Sequence, residues 1–226
     1  MEQRTPHQQT LPRKERERLR REREILEAAE RVFSRRGFFA AQVSEIAREA
    51  EFAVGTLYSF FKSKEEIYQR IIEEKVRDCI HQYKQAAETD TLPQIQIERL
   101  IDTKVEYFLA NKDFFRIYVN EFRGMGYSLQ RELREGVGSL YAEYLAWLSS
   151  IFRRGIKDGV FANLNPDALA TAFEGVSNSA LVRWMRQEKD GLAEQMTAEI
   201  KALFFYGVVV RNRKEDGSYI PGVRDR

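Results

Sequence analysis

The stretch Val43–Lys64 constrains the fold of this chain more than any other, because two short apolar stripes follow each other there with only a few residues between them. In the first stripe the apolar side chains recur at i, i+3, i+4 and i+7, which places them on one helical face. They are Val43, Ile46, Ala47 and Ala50. The residues that follow, Glu51-Phe52-Ala53, predict a tight turn.

A second stripe at the same spacing predicts a second short helix, with Val54, Leu57 and Phe61 pointing inward. Its other face then carries hydroxyl and aromatic side chains, which are Thr56, Tyr58, Ser59 and Phe60. A two-turn helix with such a surface is poorly suited to a protein core. It is well suited to a DNA major groove, where short side chains reach base edges and phosphates.

A third helix is predicted to begin directly after this pair. Ser63 and Glu66 have the S-x-x-E spacing of a capping box. Lys64 stands at the front of that helix, where a backbone amide and an ammonium group can meet a phosphate together. Two apolar helical stripes with a turn also occur in other helical domains, so the spacing alone leaves the function open.

The combined run resembles the DNA-binding domain of the TetR family of bacterial repressors. The residues that carry the resemblance are Ile46-Ala47, Ala50, Ala53, Gly55-Thr56-Leu57-Tyr58, Phe61 and Ser63-Lys64-Glu65. It covers roughly residues 22 to 70. Beyond them the chain is similar to the family in length and helical layout only.

The resemblance implies a set of DNA-contacting residues: Ser44, Ala53, Val54, Gly55, Thr56, Tyr58, Ser59, Phe60 and Lys64. In this assignment Tyr58 and Lys64 hold phosphates, Gly55 lets the backbone approach the DNA, and the others face bases. As a dimer, the protein would place its two reading helices about one DNA turn apart, ~34–36 Å, on a pseudo-palindromic operator.

The chain departs from the family pattern at the turn and at the start of the second helix. Glu51 stands where the family usually has Gly, so we expect a positive φ there that is tolerated with about 1 kcal/mol of strain. Gln42 and Val43 stand where the family often has Thr, so Ser44 takes that phosphate contact or the contact is lost. Phe60 cannot hydrogen-bond a phosphate, although it can touch a thymine methyl group.

Composition favours an all-α protein that acts in the cytoplasm. The formal net charge is only +2, so DNA binding would depend on local charges and dimer geometry. Cys79 is the only cysteine, which excludes an intrachain disulfide and favours a reducing compartment. No apolar run reaches the ~18 residues of a membrane span, so we expect no membrane partner. With His7 and His81 as the only histidines, we expect no metal site, cofactor or enzymatic activity.

Breaks in the apolar pattern predict about nine helices. We expect an arm at residues 1–14 that is disordered, a helix-turn-helix DNA-binding domain at 15–66, a helical ligand-binding and dimerisation domain at 67–211, and a flexible tail at 212–226. Residues 13–23 are densely basic. They fit a solvated helix start with pairs such as Glu17–Arg21 and equally an arm that follows the DNA backbone.

Aromatic residues crowd the middle helices of the second domain. Most fit an ordinary core, yet rings with hydroxyl groups also suit a pocket for an apolar ligand with one polar end. The candidate ligand-binding residues are Tyr107, Phe115, Tyr118, Phe122, Arg123, Tyr141, Tyr144, Trp147, Phe173, Ser177, Asn178 and Leu181. Ligand binding between helices four and eight would tilt the fourth helix and release the DNA.

Two further stripes predict a dimer interface. The eighth helix has small residues at i, i+4, i+7 and i+11, which are Ala168, Ala172, Gly175 and Ser179, with Arg183 one turn beyond. The ninth has Ile200, Leu203, Phe204 and Val208. Two such helices from each chain would form a four-helix interface, as the resemblance implies, although burial inside the monomer explains either stripe equally well.

The pattern therefore predicts a homodimeric regulator, a repressor in our interpretation, that binds an operator in double-stranded DNA and is released by a hydrophobic or aromatic effector. The alternative is a helix-turn-helix protein whose second domain binds a protein partner instead of a small molecule.

Overall fold

The computed structural model of the chain describes residues 12–88, 90–116, 127–185 and 192–208. For residues 127–136, 192–193 and 206–208 it describes the backbone only. Within these ranges the chain forms helices α1 Arg13–Arg36, α2 Val43–Glu49, α3 Val54–Phe60, α4 Lys64–Ala87, α5 Pro93–Ala110, α6 at 112–116, α7 Tyr127–Lys157, α8 Pro166–Met185 and α9 Leu192–Val208. The predicted all-α fold class is confirmed. None of the helices in the described ranges has the length and apolar character needed to cross a bilayer.

α1 begins at Arg13, inside the segment expected to be disordered up to residue 14. Its first turns are solvated and carry the expected pair between Arg21 and Glu17, with 2.6 Å between nitrogen and oxygen. Residues 1–11 and the tail from 209 to 226, with the calls made on them, lie outside the described residues.

The chain divides into two compact units. Unit 1 comprises Met1–Val76 and Lys112–Gly138, and unit 2 comprises Arg77–Asn111 and Ser139–Arg226. α4 therefore begins in unit 1 and continues into unit 2. It contains neither Gly nor Pro that would interrupt its 24 residues.

The core of unit 1 forms around aromatic rings. Phe33 on α1 lies 5.7 Å from both Phe38 and Tyr68 between ring centroids. Gly37 ends α1 with φ 76° and ψ 161°, a conformation that only Gly adopts readily. The apolar stripe of α2 packs onto this core, since Ile46 and Ala47 are buried. The α1–α2 packing thereby fixes where the following turn and α3 begin.

The turn between α2 and α3 is a Schellman motif built on Glu51. The Phe52 amide donates to the Ala47 carbonyl at 2.9 Å, and the Glu51 amide donates to the Arg48 carbonyl at 3.2 Å. Glu51 has φ 58° and is the one non-glycine residue with positive φ in the described ranges. The positive φ expected at this position is confirmed. A left-handed residue stops α2 abruptly and lets α3 leave in a new direction.

The core of unit 2 is a second cluster of rings on α7, α8 and α9. Phe173 and Phe152 each lie close to Phe204, at 5.1 and 5.5 Å between centroids. Phe161 covers Gly155 on α7 so closely that a Cβ there would lie 2.2 Å from its ring. α7 ends in a Schellman motif that has Gly159 at the left-handed position.

Candidate functional site

The exposed face of α3 is the first candidate site. Tyr58 is 54% exposed, and Ala53, Gly55 and Ser59 are exposed beside it. Val54 is 40% exposed, which corrects the expectation that it points inward with Leu57 and Phe61. Val54 is the first residue of α3, so its side chain lies at the edge of the core. The face therefore combines a phenol, small side chains and a glycine.

Gly55 is not required by the packing of unit 1. A Cβ built at this position meets no atom within 4 Å. Its φ is not among the positive values in the chain, so its backbone suits other residues too. A helix interior disfavours Gly relative to Ala by about 1 kcal/mol. The glycine is therefore explained by something that approaches α3 from outside.

Three residues of α3 differ in accessibility from the expected base-facing set. Phe60 is half-buried and packs against the core of unit 1, so the expectation that its ring faces bases is corrected. Thr56 is half-buried. The Ser59 hydroxyl donates to the Thr56 carbonyl at 2.6 Å, which leaves its oxygen lone pairs available as acceptors.

Lys64 has a different role from the free ammonium that the sequence predicts. Its Nζ donates to the carbonyls of Phe38, Ala41 and Phe39 at 2.7, 3.0 and 3.4 Å. It also lies 4.5 Å from the centroid of the Phe38 ring. An ammonium group has three donors, and all three point at the α1–α2 loop. The ammonium is thus occupied in holding this loop to the start of α4.

The start of α4 is capped as expected on one side only. The Ser63 hydroxyl accepts from the Glu66 amide at 3.2 Å, which is half of the predicted capping box. The Glu66 carboxylate accepts instead from the Lys62 amide at 2.6 Å, one residue earlier. The Lys62 side chain is exposed and forms no ion pair within the described part of the chain. Sequence reasoning overlooked this cation because it lies outside the family motif.

At the start of α2 the Glu45 carboxylate accepts from the Gln42 amide at 3.0 Å. The Ser44 hydroxyl is exposed and donates to the Gln42 side chain at 3.4 Å. On the far end of α2, Glu49 accepts from Arg35 and Arg31 at 2.6 and 2.9 Å, and these hydrogen bonds lower the pKa of its carboxyl. The contacts tie α2, which supports α3, to α1.

The second candidate site is a buried charge pair in unit 2 that the sequence reasoning missed. Lys104 on α5 and Glu174 on α8 are 3% and 5% exposed, and 2.6 Å separates Nζ from Oε1. The Tyr144 hydroxyl donates to the same oxygen at 2.6 Å. A pattern signal existed, because Lys104 falls among the inward positions Ile97, Leu100, Ile101, Val105 and Phe108. Glu174 interrupts the α8 stripe in the same way.

Hydroxyl and thiol groups surround this pair. Burial raises the pKa of Tyr83 and Tyr144 well above the usual tyrosine value. Burial likewise raises the pKa of the Cys79 thiol to about 12. All three groups are therefore protonated at neutral pH and can donate hydrogen bonds. No group of three His, Cys, Asp or Glu side chains in the described ranges is arranged to hold a metal ion.

The structure brings together part of the expected ligand-binding set. Tyr107, Tyr144, Phe173, Ser177 and Leu181 are buried in unit 2, Trp147 is half-buried, and Tyr141 and Asn178 are exposed. Phe115 packs against the core of unit 1, which corrects its assignment to this group. Tyr118, Phe122 and Arg123 lie outside the described residues.

The two stripes expected at the dimer interface have different fates. Ala168, Ala172, Gly175 and Ser179 are all exposed on α8, so burial inside the monomer does not explain them. Arg183 is exposed and pairs with Glu199 of α9. On α9, Leu203 is 67% exposed, whereas Ile200 and Phe204 are buried within unit 2. The last two are corrected to core residues, and the side chain of Val208 lies outside the described ones.

Comparison with known proteins agrees with this architecture. The family model "Bacterial regulatory proteins, tetR family" matches residues 25–71, and "Tetracyclin repressor-like, C-terminal domain" matches residues 90–208. The HTH-type transcriptional regulator YfiR of Bacillus subtilis is 27% identical over 197 residues, which are 81% of this chain and 92% of YfiR.

Two other proteins are similar over most of their length. The HTH-type transcriptional repressor KstR2 of Rhodococcus jostii is 27% identical over 166 residues, 74% of this chain and 80% of KstR2. The crystal structure of the regulator FadR from Bacillus subtilis in complex with stearoyl-CoA has a TM-score of 0.67 and 23% identity, and the match covers 79% of this chain and 96% of FadR. The chain belongs to the TetR family of DNA-binding, ligand-responsive transcriptional regulators.

Proposed function

We propose that this protein represses transcription as a homodimer that binds its operator through the exposed face of α3 and releases it when an apolar effector binds unit 2. The observation that carries the proposal is the outward face around Gly55, where nothing in unit 1 fills the space beside the glycine. In this proposal residues 15–66 form the DNA-binding domain and 67–211 the effector and dimerisation domain. The protein acts in the cytoplasm and has no catalytic role.

The DNA contacts follow from what each side chain leaves accessible. Tyr58 donates its hydroxyl to a phosphate, and Gly55 lets the α3 backbone approach the groove. Ala53, Val54, Thr56 and Ser59 face the bases, with Ser44 at a phosphate. Lys62 supplies the cation that Lys64 cannot, because the Lys64 ammonium is occupied by carbonyls. The α3 helices of the dimer lie about one DNA turn apart, ~34–36 Å.

The test is a pair of titrations on DNA fragments that the full-length protein selects from genomic DNA. We expect Tyr58→Phe combined with Lys62→Ala to weaken binding, and loss of the Lys62 contact to reduce the salt slope by about 0.9 per phosphate in each half-site. Lys157→Ala, an exposed lysine on α7 in unit 2, is the matched control. Unchanged affinity and slope in the double variant would contradict these contacts.

The effector is an apolar molecule with a polar end. Buried phenols and rings in unit 2 support this class, because they provide apolar walls with hydrogen-bond donors. The complex of the similar FadR with stearoyl-CoA supports it too. The effector must bind the DNA-released conformation more tightly than the DNA-bound one, since a ligand shifts an equilibrium only by its difference in affinity. α4, shared by the units, is the element that moves.

The dimer forms through the exposed small residues of α8 and the exposed Leu203 of α9. Small side chains let the α8 helices of the two copies approach closely. A symmetric dimer needs a patch that is complementary to itself, and one stripe that crosses its own copy meets that requirement.

A further inference from the structure

The buried pair of Lys104 and Glu174 is not explained by the stability of unit 2. Moving two charges out of water costs several kcal/mol per ion, and apolar replacements of similar volume are often equally or more stable. Both residues lie on the inward stripes of their helices, where every neighbour on α5 is apolar. A pair kept at such a position invites a role other than holding the helices together.

The hydrogen bonds of the pair are unevenly distributed. Oε1 of Glu174 accepts from Lys104 and from Tyr144, both at 2.6 Å. Oε2 receives only the Asn178 amide at 3.5 Å, which is too long for a good hydrogen bond. The Lys104 ammonium has one oxygen partner, and its other side lies over the rings of Tyr83 and Phe173, at 5.1 and 5.7 Å from their centroids. One acceptor and two donors of the pair are left over.

Ser177 adds an independent observation. It follows Glu174 by one turn on α8 and is 1% exposed, yet its hydroxyl has no hydrogen-bond partner in the structure. An unsatisfied buried polar group costs about 1–3 kcal/mol, and native proteins contain few of them. Its position on the same helical face as Glu174 places this hydroxyl beside the unsatisfied carboxylate oxygen.

We propose that Lys104, the free oxygen of Glu174 and the Ser177 hydroxyl form the recognition site for the polar end of the effector, and that this end is an uncharged carbonyl or hydroxyl group on an apolar skeleton. The inference depends on the effector role proposed above. A carbonyl oxygen accepts from the Lys104 ammonium, and a hydroxyl group donates to Oε2 of Glu174. Phe173, Tyr83 and Leu181 supply the apolar surroundings.

The charge balance selects against ions. The pair has no net charge, so an incoming carboxylate would meet the Glu174 carboxylate and an incoming ammonium would meet Lys104. Either ion would also have to leave water with no counter-charge free to receive it. A neutral group exchanges its hydrogen bonds with water for those offered by Lys104, Glu174 and Ser177 at far smaller cost.

The test compares probes that share one alkyl chain: 1-decanol, methyl decanoate, decanoate and decyltrimethylammonium. Binding to the full-length protein is followed by tryptophan fluorescence, because Trp147 stacks on Tyr144 at 5.8 Å. We expect the two neutral probes to bind about ten- to a hundredfold more tightly than the two ions, the range that one or two lost hydrogen bonds to charged groups gives. Equal or tighter binding of either ion, or no binding of the neutral probes, would overturn the site.

The double variant Lys104→Met with Glu174→Gln separates recognition from structure, because it removes both charges together and leaves neither unpaired. We expect it to bind the neutral probes at least about tenfold more weakly. The matched control is Lys201→Met with Asp102→Asn, which removes an ion pair of 2.6 Å between α9 and α5 at the surface of unit 2. Wild-type affinity in the folded double variant would show that the pair is structural.

Ser177→Ala is the second variant, and it deletes a hydroxyl that bonds nothing in the protein. We expect weaker binding of the neutral probes with an unchanged or higher melting temperature, and unchanged binding would count against the site. Operator affinity is measured separately with and without each probe. A probe that binds unit 2 without changing operator affinity contradicts the effector role and leaves the recognition site standing.

Discussion

Glu51 shows how one residue can fix the path of a chain at a measurable cost. It occupies the left-handed position of the α2–α3 Schellman motif with φ 58°, while Gly159 occupies the equivalent position after α7 with φ 72°. A left-handed conformation brings the Cβ of an L-residue close to the following carbonyl, which costs about 1 kcal/mol or more. The same motif is thus strained in unit 1 and relaxed in unit 2.

Glu51→Gly is therefore expected to stabilise the protein by about 1 kcal/mol, because glycine adopts positive φ without this contact. Thermal unfolding followed by circular dichroism measures the change. Gly159→Ala is the mirrored control and should lower stability by a similar amount, since its φ is also positive. A lower melting temperature for Glu51→Gly would mean that the glutamate side chain makes a stabilising contact that outweighs the strain.

The positive φ of Glu51 could be predicted because the signal is local: a break between two helical stripes needs a residue that turns the chain. The engagement of Lys64 could not, because its acceptors lie 26, 25 and 23 residues away in the sequence. The charge of a side chain can be read from the sequence, whereas the acceptors that it meets depend on how distant segments fold together.

At the scale of elements, Lys64 connects the α1–α2 loop to the first turn of α4. Lys64→Met keeps the aliphatic stem and removes the donors, so that carbonyls of the loop are left without partners. We expect a loss of about 1–3 kcal/mol in stability and faster amide exchange in residues 37–42. Both are measured by thermal unfolding and by hydrogen exchange with mass spectrometry.

Lys62→Met is the matched control for this change, because Lys62 is exposed and its ammonium forms no ion pair among the described residues. Its effect on stability should stay within about 0.5 kcal/mol. Equal effects of the two substitutions would show that the Lys64 contacts contribute little to holding the loop.

The extents of helices could be predicted better than their inward faces. Pro93 opens α5 and Asn111 follows it, as the capping pattern indicates. The apolar stripe of α9, by contrast, was assigned as a whole to a dimer interface, whereas Ile200 and Phe204 pack inside unit 2 and Leu203 is exposed. Periodicity identifies an apolar face, but it does not say whether the partner helix belongs to the same chain.

At the scale of the whole molecule, the α8 stripe makes the dimer testable. Ala172→Arg places a large charged side chain on a face that is exposed in the single chain, so folding should be preserved. Close approach of two α8 helices would be blocked, and we expect a monomer by size-exclusion chromatography with light scattering. Operator affinity should fall by about tenfold or more, because the half-sites would then bind separate chains.

Ala142→Arg, at an exposed position on α7, is the control and should remain dimeric. A dimeric Ala172→Arg protein with unchanged operator affinity would remove α8 from the interface. A monomer that retains full operator affinity would instead contradict the role of the dimer in DNA binding.

Membership of the family and the all-α architecture could be predicted for the whole chain, because the motif from Ile46 to Glu65 is long and fixed in spacing. The polar part of the candidate effector site could not. Lys104 and Glu174 are 70 residues apart and meet only where α5 and α8 pack together. Aromatic residues attract notice in a sequence by their number, whereas one lysine within an apolar stripe is easily read as an exception.

The open space beside Gly55 separates two demands on the same helix. An alanine there would fit unit 1 without a clash and would favour the helical state by about 1 kcal/mol. If α3 approaches DNA as proposed, the added methyl group would meet the groove instead. A laboratory selection for heat resistance alone would therefore drift toward alanine at this position. Its survivors would be robust proteins that no longer recognise their operator.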